Sequence, residues 1–398
     1  MKIENRKSTN QQINKSTNQQ IIMEPRYKTT GKIGRSIAAA LPMFLIVVMF
    51  STQGNFAFAD TAQALAWMVN TAFFTLIFFL MLYKGRTDKY RAIAFGASAV
   101  LFAIGFMANL IEIRGTINYD TGNIYNCDIP FCHIVTTMVI IPAAIKQTII
   151  FSGSISEGYA SISSMLVIVI VAAVLLGRAF CSWGCFYGGW DDATSRIKAR
   201  PVIKKINSSF KYFSFAMLIL MALWSAESLM PQYCNWLCPF KAVTEGDKIV
   251  DGVSLVKNII FYTLFIALCF VLPILTKKRI QCATFCPMGA LLSLFNKINL
   301  FEVALDQDKC KKCNKCVSKC PLMSIGKDHK PSINCAKCGH CIDNCPSEAL
   351  NYKIRGTSAK VSASTARIIF LYLAYSFMVI FLGSCAYGGL TTIFRLIF

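Results

Sequence analysis

Apolar residues in this chain come in long runs separated by short polar or basic stretches. Runs at about 62–83, 92–112, 159–177, 210–230, 253–275 and 367–386 match the roughly 17–25 residues that cross a hydrocarbon core. Each predicts a membrane helix. The stretch 135–150 is shorter and carries Pro142 and Lys146, which predicts a re-entrant or interfacial segment. Between 301 and 355 the apolar runs stop, and a cysteine-rich and lysine-rich segment takes their place.

The N-terminal end reads differently. KSTNQQI occurs twice, at 7–13 and 15–21, in a polar tract with nothing to bury, so residues 1–22 are expected to be disordered, and Met23 is a second candidate start. Lys28, Lys32 and Arg35 precede an apolar run at 37–50, and Ala57-Phe58-Ala59 follows it. That order predicts a signal peptide over 23–59, or a signal anchor if it is retained. Both readings put Asp60 outside the cytoplasm.

Charge gives the helices a direction. Lys84, Arg86, Lys89 and Arg91 fill the first internal loop. Arg178, Arg196, Lys198, Arg200, Lys204, Lys205 and Lys211 fill the next, and Lys277, Lys278 and Arg279 precede the cysteine-rich segment. The loops at 113–158 and 231–252 are poor in Lys and Arg. The positive-inside rule places the basic loops and the cysteine-rich segment in the cytoplasm and the other two loops outside. Most of the net charge of +21 follows from this, so nucleic acid need not be invoked. Lysines among the cysteines would also attract anionic lipid or an acidic donor protein.

Eight of the eighteen cysteines form two runs, Cys310-x2-Cys313-x2-Cys316-x3-Cys320-Pro321 and Cys335-x2-Cys338-x2-Cys341-x3-Cys345-Pro346. Each cysteine of the second lies 25 residues after its counterpart, so the segment is a duplicated unit. This is the spacing of a two-cluster bacterial ferredoxin, whose fourth cysteine ligates the other cluster. Cys310, Cys313, Cys316 and Cys345 are predicted to hold one [4Fe-4S] cube, and Cys335, Cys338, Cys341 and Cys320 the second. Structural zinc uses more widely separated pairs.

Three further pairs share one spacing: Cys181-x3-Cys185, Cys234-x3-Cys238 and Cys282-x3-Cys286. Each follows an apolar span. The first and third are most alike, with an Arg leading in and Gly188 or Gly289 following, and together they supply four thiolates on the cytoplasmic edge. A third iron–sulfur cluster, a metal site or redox cysteines are the readings carried forward. Cys127 and Cys132, just before His133, are expected on the outer face. A disulfide, a thiol site shared with Cys234 and Cys238, inert packing, and a c-type haem of unusual spacing all stand as readings. Cys269 and Cys385 read as packing.

Residues 170–350 resemble the membrane ferredoxins of the NapH, MauN and NosR kind. The likeness rests on Gly177-Arg178-Ala179-Phe180-Cys181-x3-Cys185, on Cys282-x3-Cys286-Pro287-Met288-Gly289-Ala290, and on the double ferredoxin run behind them. Trp236-Leu237-Cys238-Pro239-Phe240 looks like the additional motif of broader polyferredoxin relatives. Phe186 stands where the family usually has Pro. The resemblance implies quinol-linked electron transfer through the membrane, often serving a periplasmic metalloenzyme.

The expected architecture is an all-α polytopic membrane bundle of about six to seven helices with an inserted small α+β ferredoxin domain, in a bacterial or archaeal cytoplasmic membrane. The transmembrane part covers 60–300, the cytoplasmic 2[4Fe-4S] domain 301–355, and a C-terminal helix lies in 366–398. Only three histidines occur, so a bis-His haem between helices is excluded within this chain, and no nicotinamide or ATP motif is present. The expected function is an electron relay among a membrane quinone pool, the cubes and other redox subunits, with no catalytic acid or base assigned. A maturation factor for a periplasmic metalloenzyme and an outward-facing metal reductase are the alternatives.

Overall fold

The computed structural model describes residues 33–51, 54, 56–114, 133–148, 162–204, 206–244, 248–356 and 362–398. Cys127, Cys132 and the repeated tract at 7–21 lie outside the described residues. Among the described residues six helices are long and apolar enough to cross a membrane: α1 (Ile33–Ser51), α2 (Thr61–Tyr83), α3 (Thr87–Arg114), α7 (Phe213–Ser228, with its lead-in from Ser209), α9 (Gly252–Thr276) and α13 (Ala363–Ile397). Between them lie α4 (Val135–Lys146), α5 (Ile162–Leu175), α6 (Phe186–Thr194), α8 (Lys241–Thr244) and α10 (Pro287–Phe295). Their outward faces carry Val69, Leu76, Ile219, Leu223, Ile259 and Ile266, all exposed, an apolar exterior suited to lipid rather than water.

Two predicted spans and the expected signal segment take a different shape. The run at 159–177 is not a straight helix: Leu166–Leu175 and Gly177–Trp183 meet at 110°. The last span runs from Ala363 to Ile397, well beyond 367–386, and places Cys385 inside the helix. Residues 33–51, within the expected signal segment, form α1, which is seated on the bundle. Met43 and Val47 are buried, the Tyr372 hydroxyl donates to the Ala39 carbonyl, and Asn70 donates to Ser51 Oγ at 3.1 Å. The short α4 contains Pro142, and its 12 residues are too few to cross a bilayer.

Polar side chains fix α2 and α13 antiparallel at four depths. Arg367 donates to the Met81 carbonyl at 3.0 Å, Tyr375 to Phe74 at 2.7 Å, and Asn70 to Gly383 at 3.1 Å. At the far end Arg395 meets Asp60 at 2.8 Å. With no water to satisfy them, buried polar groups in hydrocarbon must find each other, and so they set register.

The polar segment folds on the Arg367 end of this pair. Strands β1 (Phe301–Leu305) and β2 (Leu350–Ile354) pair antiparallel, Phe301 opposite Ile354 through Leu305 opposite Leu350. Between them sit the cysteine loops with short helices α11 (Lys315–Lys319) and α12 (His340–Asp343). Tyr352 stacks on Phe370 of α13 with ring centres 4.6 Å apart, which joins the sheet to the bundle.

Helices α3 and α13 touch through glycines. A Cβ on Gly389 would lie 2.1 Å from the Leu101 carbonyl oxygen, whereas one on Gly388 would meet nothing within 4 Å. Gly389→Val is therefore expected to lower stability by about 1–3 kcal/mol, while Gly388→Val leaves it near the parent. Thermal unfolding of the two purified variants in the same detergent checks the contrast.

Candidate iron–sulfur centres

The three CxxxC pairs are three copies of one local fold. In each, an apolar helix ends at a residue in the left-handed region: Gly177 (φ 56°), Leu229 (φ 52°) or Lys277 (φ 56°). A tight turn carrying the first cysteine follows. The second cysteine is then extended, with φ/ψ of −92°/111° at Cys185, −74°/111° at Cys238 and −74°/118° at Cys286. A short helix leads away, started in the third copy by Pro287, whose fixed φ and missing N–H suit that position. Gly177 is required by its surroundings as well, because a Cβ there would lie 2.4 Å from Asn296 Oδ1. Asn299 caps the carbonyl freed at the bend, donating to Leu176 at 2.9 Å.

Two of the copies clasp each other through arginine. Arg178, three residues before Cys181, donates to the Cys282 carbonyl at 2.7 Å. Arg279, three residues before Cys282, donates to the Cys181 carbonyl at 2.6 Å. Both are fully buried. Arg178 also holds Ser293 Oγ at 2.8 Å and Asn334 Oδ1 at 2.7 Å; Arg279 holds Ser182 Oγ at 2.6 Å. The glycines make room: a Cβ on Gly188 would stand 2.2 Å from the Cys181 carbonyl and 2.7 Å from Arg279 Nη2. In the remaining copy Pro231 and Lys241 occupy the matching positions, so it has no arginine to exchange.

The clasp brings Cys181, Cys185, Cys282 and Cys286 around one cavity, walled by Phe180, Tyr187, Phe240 and Met288. N–H groups point at the sulfurs: Arg279 Nη2 lies 3.3 Å from Cys282 Sγ and the Gly188 amide 3.4 Å from Cys185 Sγ. Among the described residues no three His, Cys, Asp or Glu side chains converge where a lone ion would sit. Four thiols spread around a cavity, with donors aimed at sulfur, fit a cube held at its corners.

Two placements differ from those expected. His133 was expected outside, yet it is buried in this cavity wall, with Nε2 3.1 Å from Cys185 Sγ. The Cys234–Cys238 turn was expected on the outer face with Cys127 and Cys132, yet it folds back beside the Cys282–Cys286 turn. Gln281 donates to the Tyr233 hydroxyl at 3.2 Å, and Tyr187 stacks on Phe240 at 3.8 Å. The physical reason is the left-handed Leu229 at the end of α7, which turns the chain back into the bundle. Cys234 and Cys238 do not line the cavity.

The duplicated cysteine runs meet very different surroundings. In the first, Cys313 is exposed. The second is pressed against the clasp. Arg91, fully buried, donates to the Cys338 carbonyl at 3.2 Å and to the Ser182 carbonyl at 3.0 Å. Asn296 donates to Cys335 at 2.8 Å and accepts from Lys337 Nζ at 2.7 Å. Cys282 itself packs with Leu322, Met323 and Ala336. Burial pushes the Cys338 thiol up to about 12, with Arg91 pulling the other way, and draws Lys337 down to about 7. Beyond burial, Cys345 and Cys313 add to the upward shift of Cys316, and Cys320 to those of Cys335, Cys338 and Cys341. The fourth cysteine of each run thus stands with the other run.

A 4Fe-4S binding domain model matches this chain over 157–204, 213–246 and 259–303, one segment for each CxxxC turn. Among curated proteins, an uncharacterized protein of Methanocaldococcus jannaschii is 30% identical over 164 residues, 39% of this chain and 56% of that protein. Ferredoxin-type protein NapH of Escherichia coli is 24% identical over 162 residues, 40% and 53% of the two chains. The methylamine utilization ferredoxin-type protein MauN of Methylorubrum extorquens is 26% identical over 180 residues, 43% and 56%. The chain resembles the NapH/MauN-type membrane ferredoxins. It spans about half the length of most of these relatives. No solved structure matches it.

In this chain the first and third CxxxC motifs, alike in their flanking Arg and Gly, are the two that the fold brings together around one cavity. His133 and Tyr233 carry no motif of their own, so the sequence does not mark them. It shows both arginines only as lead-in residues, although their common position three before a cysteine is the signal. Asp192 shows why they matter. Burial would raise its carboxyl, but Arg91, Arg196 and Arg279 outweigh burial and hold it below its ordinary range.

Arg279→Met would leave the Cys181 carbonyl without its donor and weaken the compensation of Asp192, which lies 4.0 Å away. Removing one partner from such a buried set costs about 3–5 kcal/mol. A lowered melting temperature and loss of iron are expected, measured on anaerobically purified protein. Parent-like values for both would count against the clasp.

Proposed function

We propose that this membrane protein holds three [4Fe-4S] cubes in a row and carries electrons between the cytoplasm and a quinone in the bilayer. Cys310, Cys313, Cys316 and Cys345 hold the outermost cube. Cys335, Cys338, Cys341 and Cys320 hold the middle one, and Cys181, Cys185, Cys282 and Cys286 hold the innermost. The cubes, when bound, supply one-electron carriers that need no proton or bond exchange. The chain's own residues supply the rest. Arg178, Arg279 and Arg91 place positive charge beside the thiolates, Phe180, Tyr187 and Phe240 exclude water from the inner cavity, and backbone and guanidinium N–H groups oriented at sulfur set the potentials.

The observation that carries this reading is the shared wall between the second cysteine run and the cavity: Arg91 donates to both the Cys338 and Ser182 carbonyls, and Cys282 and Ala336 belong to one buried cluster. The apolar cavity wall is one a quinone head group would approach from the hydrocarbon layer. Asp88, His340 and Arg196 meet where the ferredoxin unit sits on the basic loops, with Asp88 2.8 Å from His340 and 2.7 Å from Arg196. That is the reason to place the unit in the cytoplasm of a prokaryotic cell.

Iron and acid-labile sulfide decide the stoichiometry. About twelve of each per chain is expected from the anaerobic protein, falling to about eight in a Cys181→Ser/Cys282→Ser variant. About eight in the parent would remove the innermost centre from the proposal.

A further inference from the structure

The duplication gives the ferredoxin unit an internal control. The loop 309–319 carries Lys309, Lys311, Lys312, Lys315 and Lys319 and no acidic residue. At the same positions 25 residues on stand Asn334, Ala336, Lys337, His340 and Asn344, and Lys337 is buried. The two loops share a backbone: Lys312 and Asn314 are left-handed at φ 49° and 56°, as are Lys337 and Gly339 at 48° and 83°. The lysines are therefore not demanded by the cysteine geometry. Nor does topology account for them, because the loop begins more than thirty residues after α9 ends, beyond the reach of the positive-inside bias. All five are exposed and surround the exposed Cys313. Lys309 meets Asp306 at 3.4 Å and Lys319 meets Asn344 at 2.6 Å. Among the described residues no carboxylate pairs with Lys311, Lys312 or Lys315.

We infer that the lysine collar around Cys313 is the docking surface for an acidic, soluble one-electron carrier protein. The inference rests on the reading above that Cys313 is a cube ligand. Charge complementarity argues for the partner: a positive rim around Cys313, the one exposed cysteine among the described residues, steers a negative protein so that its cofactor stops beside that corner. The loop is anchored beside the clasp at Ser318, whose carbonyl accepts from Lys278 at 2.6 Å, while its five lysines are exposed, so an acidic protein suits them better than the bilayer carrying the chain. The exchange is one electron, with no bond made or broken, between the carrier's cofactor and the centre held by Cys310, Cys313, Cys316 and Cys345.

The test uses the full chain in nanodiscs of neutral lipid and an acidic bacterial ferredoxin as probe. Its affinity and the rate at which it reduces the chain are followed against ionic strength. Both are expected to fall steeply with salt. In a Lys311→Glu/Lys312→Glu/Lys315→Glu variant the low-salt rate is expected to drop about tenfold or more, with dithionite reduction and iron content unchanged. A Lys→Gln triple variant, milder on folding, is expected to fall between. Salt-independent binding, or charge reversal without effect, would overturn the inference. So would a variant that keeps ferredoxin binding and loses only attachment to phosphatidylglycerol vesicles. Binding is read without electron transfer, so loss of the cubes, which defeats the parent reading, leaves a separate signature.

Discussion

Two guanidinium groups buried at the membrane edge carry the arrangement. A charge taken from water into a low-dielectric interior is tolerated only when its donors are satisfied and opposite charge lies near. Arg178 and Arg279 satisfy their terminal nitrogens by reaching across to each other's cysteine turn, although the Nε of each finds no partner among the described residues, so neither turn is complete alone. Gly188 follows from the same constraint, since it leaves the space that Arg279 fills, whereas Gly289 stands closest to the Cys282 carbonyl, 3.1 Å from where its Cβ would lie. In the proposed loaded state the cysteine thiolates would supply negative charge beside the arginines. Binding a cofactor and burying the arginines are thus one problem with one solution.

Repetition with unequal surroundings is the second theme. Three CxxxC turns share a backbone, but only the two with arginine close on one another. The third, with Pro231 in that place, lies alongside through Tyr233. Two ferredoxin loops share a backbone too, yet one is sealed against the clasp and the other faces water. Identical local folds are sorted by what packs on them, which would give the proposed row of centres a direction, from the loop with exposed Cys313 to the buried clasp.

Much of this was legible in the sequence. Hydropathy gave the spans because hydrocarbon imposes length and composition directly, and cluster ligation imposes cysteine spacing in the same way. The kinship of Cys181–Cys185 with Cys282–Cys286 was readable from the flanking Arg and Gly. The membrane depth of His133 and of the Cys234–Cys238 turn was not. Loop charge reports on which side a loop emerges, and it cannot register a chain that turns back inward at a left-handed Leu229. The bend at Gly177 was hidden for a related reason, because the apolar run continues through it. The extension of α13 to Ile397 was masked by Tyr387, Gly388 and Gly389, which lower hydropathy, Gly389 being the one that permits the close approach to α3.

The central claim is that the four clasped cysteines hold a paramagnetic centre against the second ferredoxin loop. Electron paramagnetic resonance of the fully reduced full chain tests it most directly. Spectra broadened by coupling among three spins are predicted, simplifying to a two-spin pattern when Cys282 is replaced by Ser. A reduced spectrum that Cys282→Ser leaves unchanged would contradict the account.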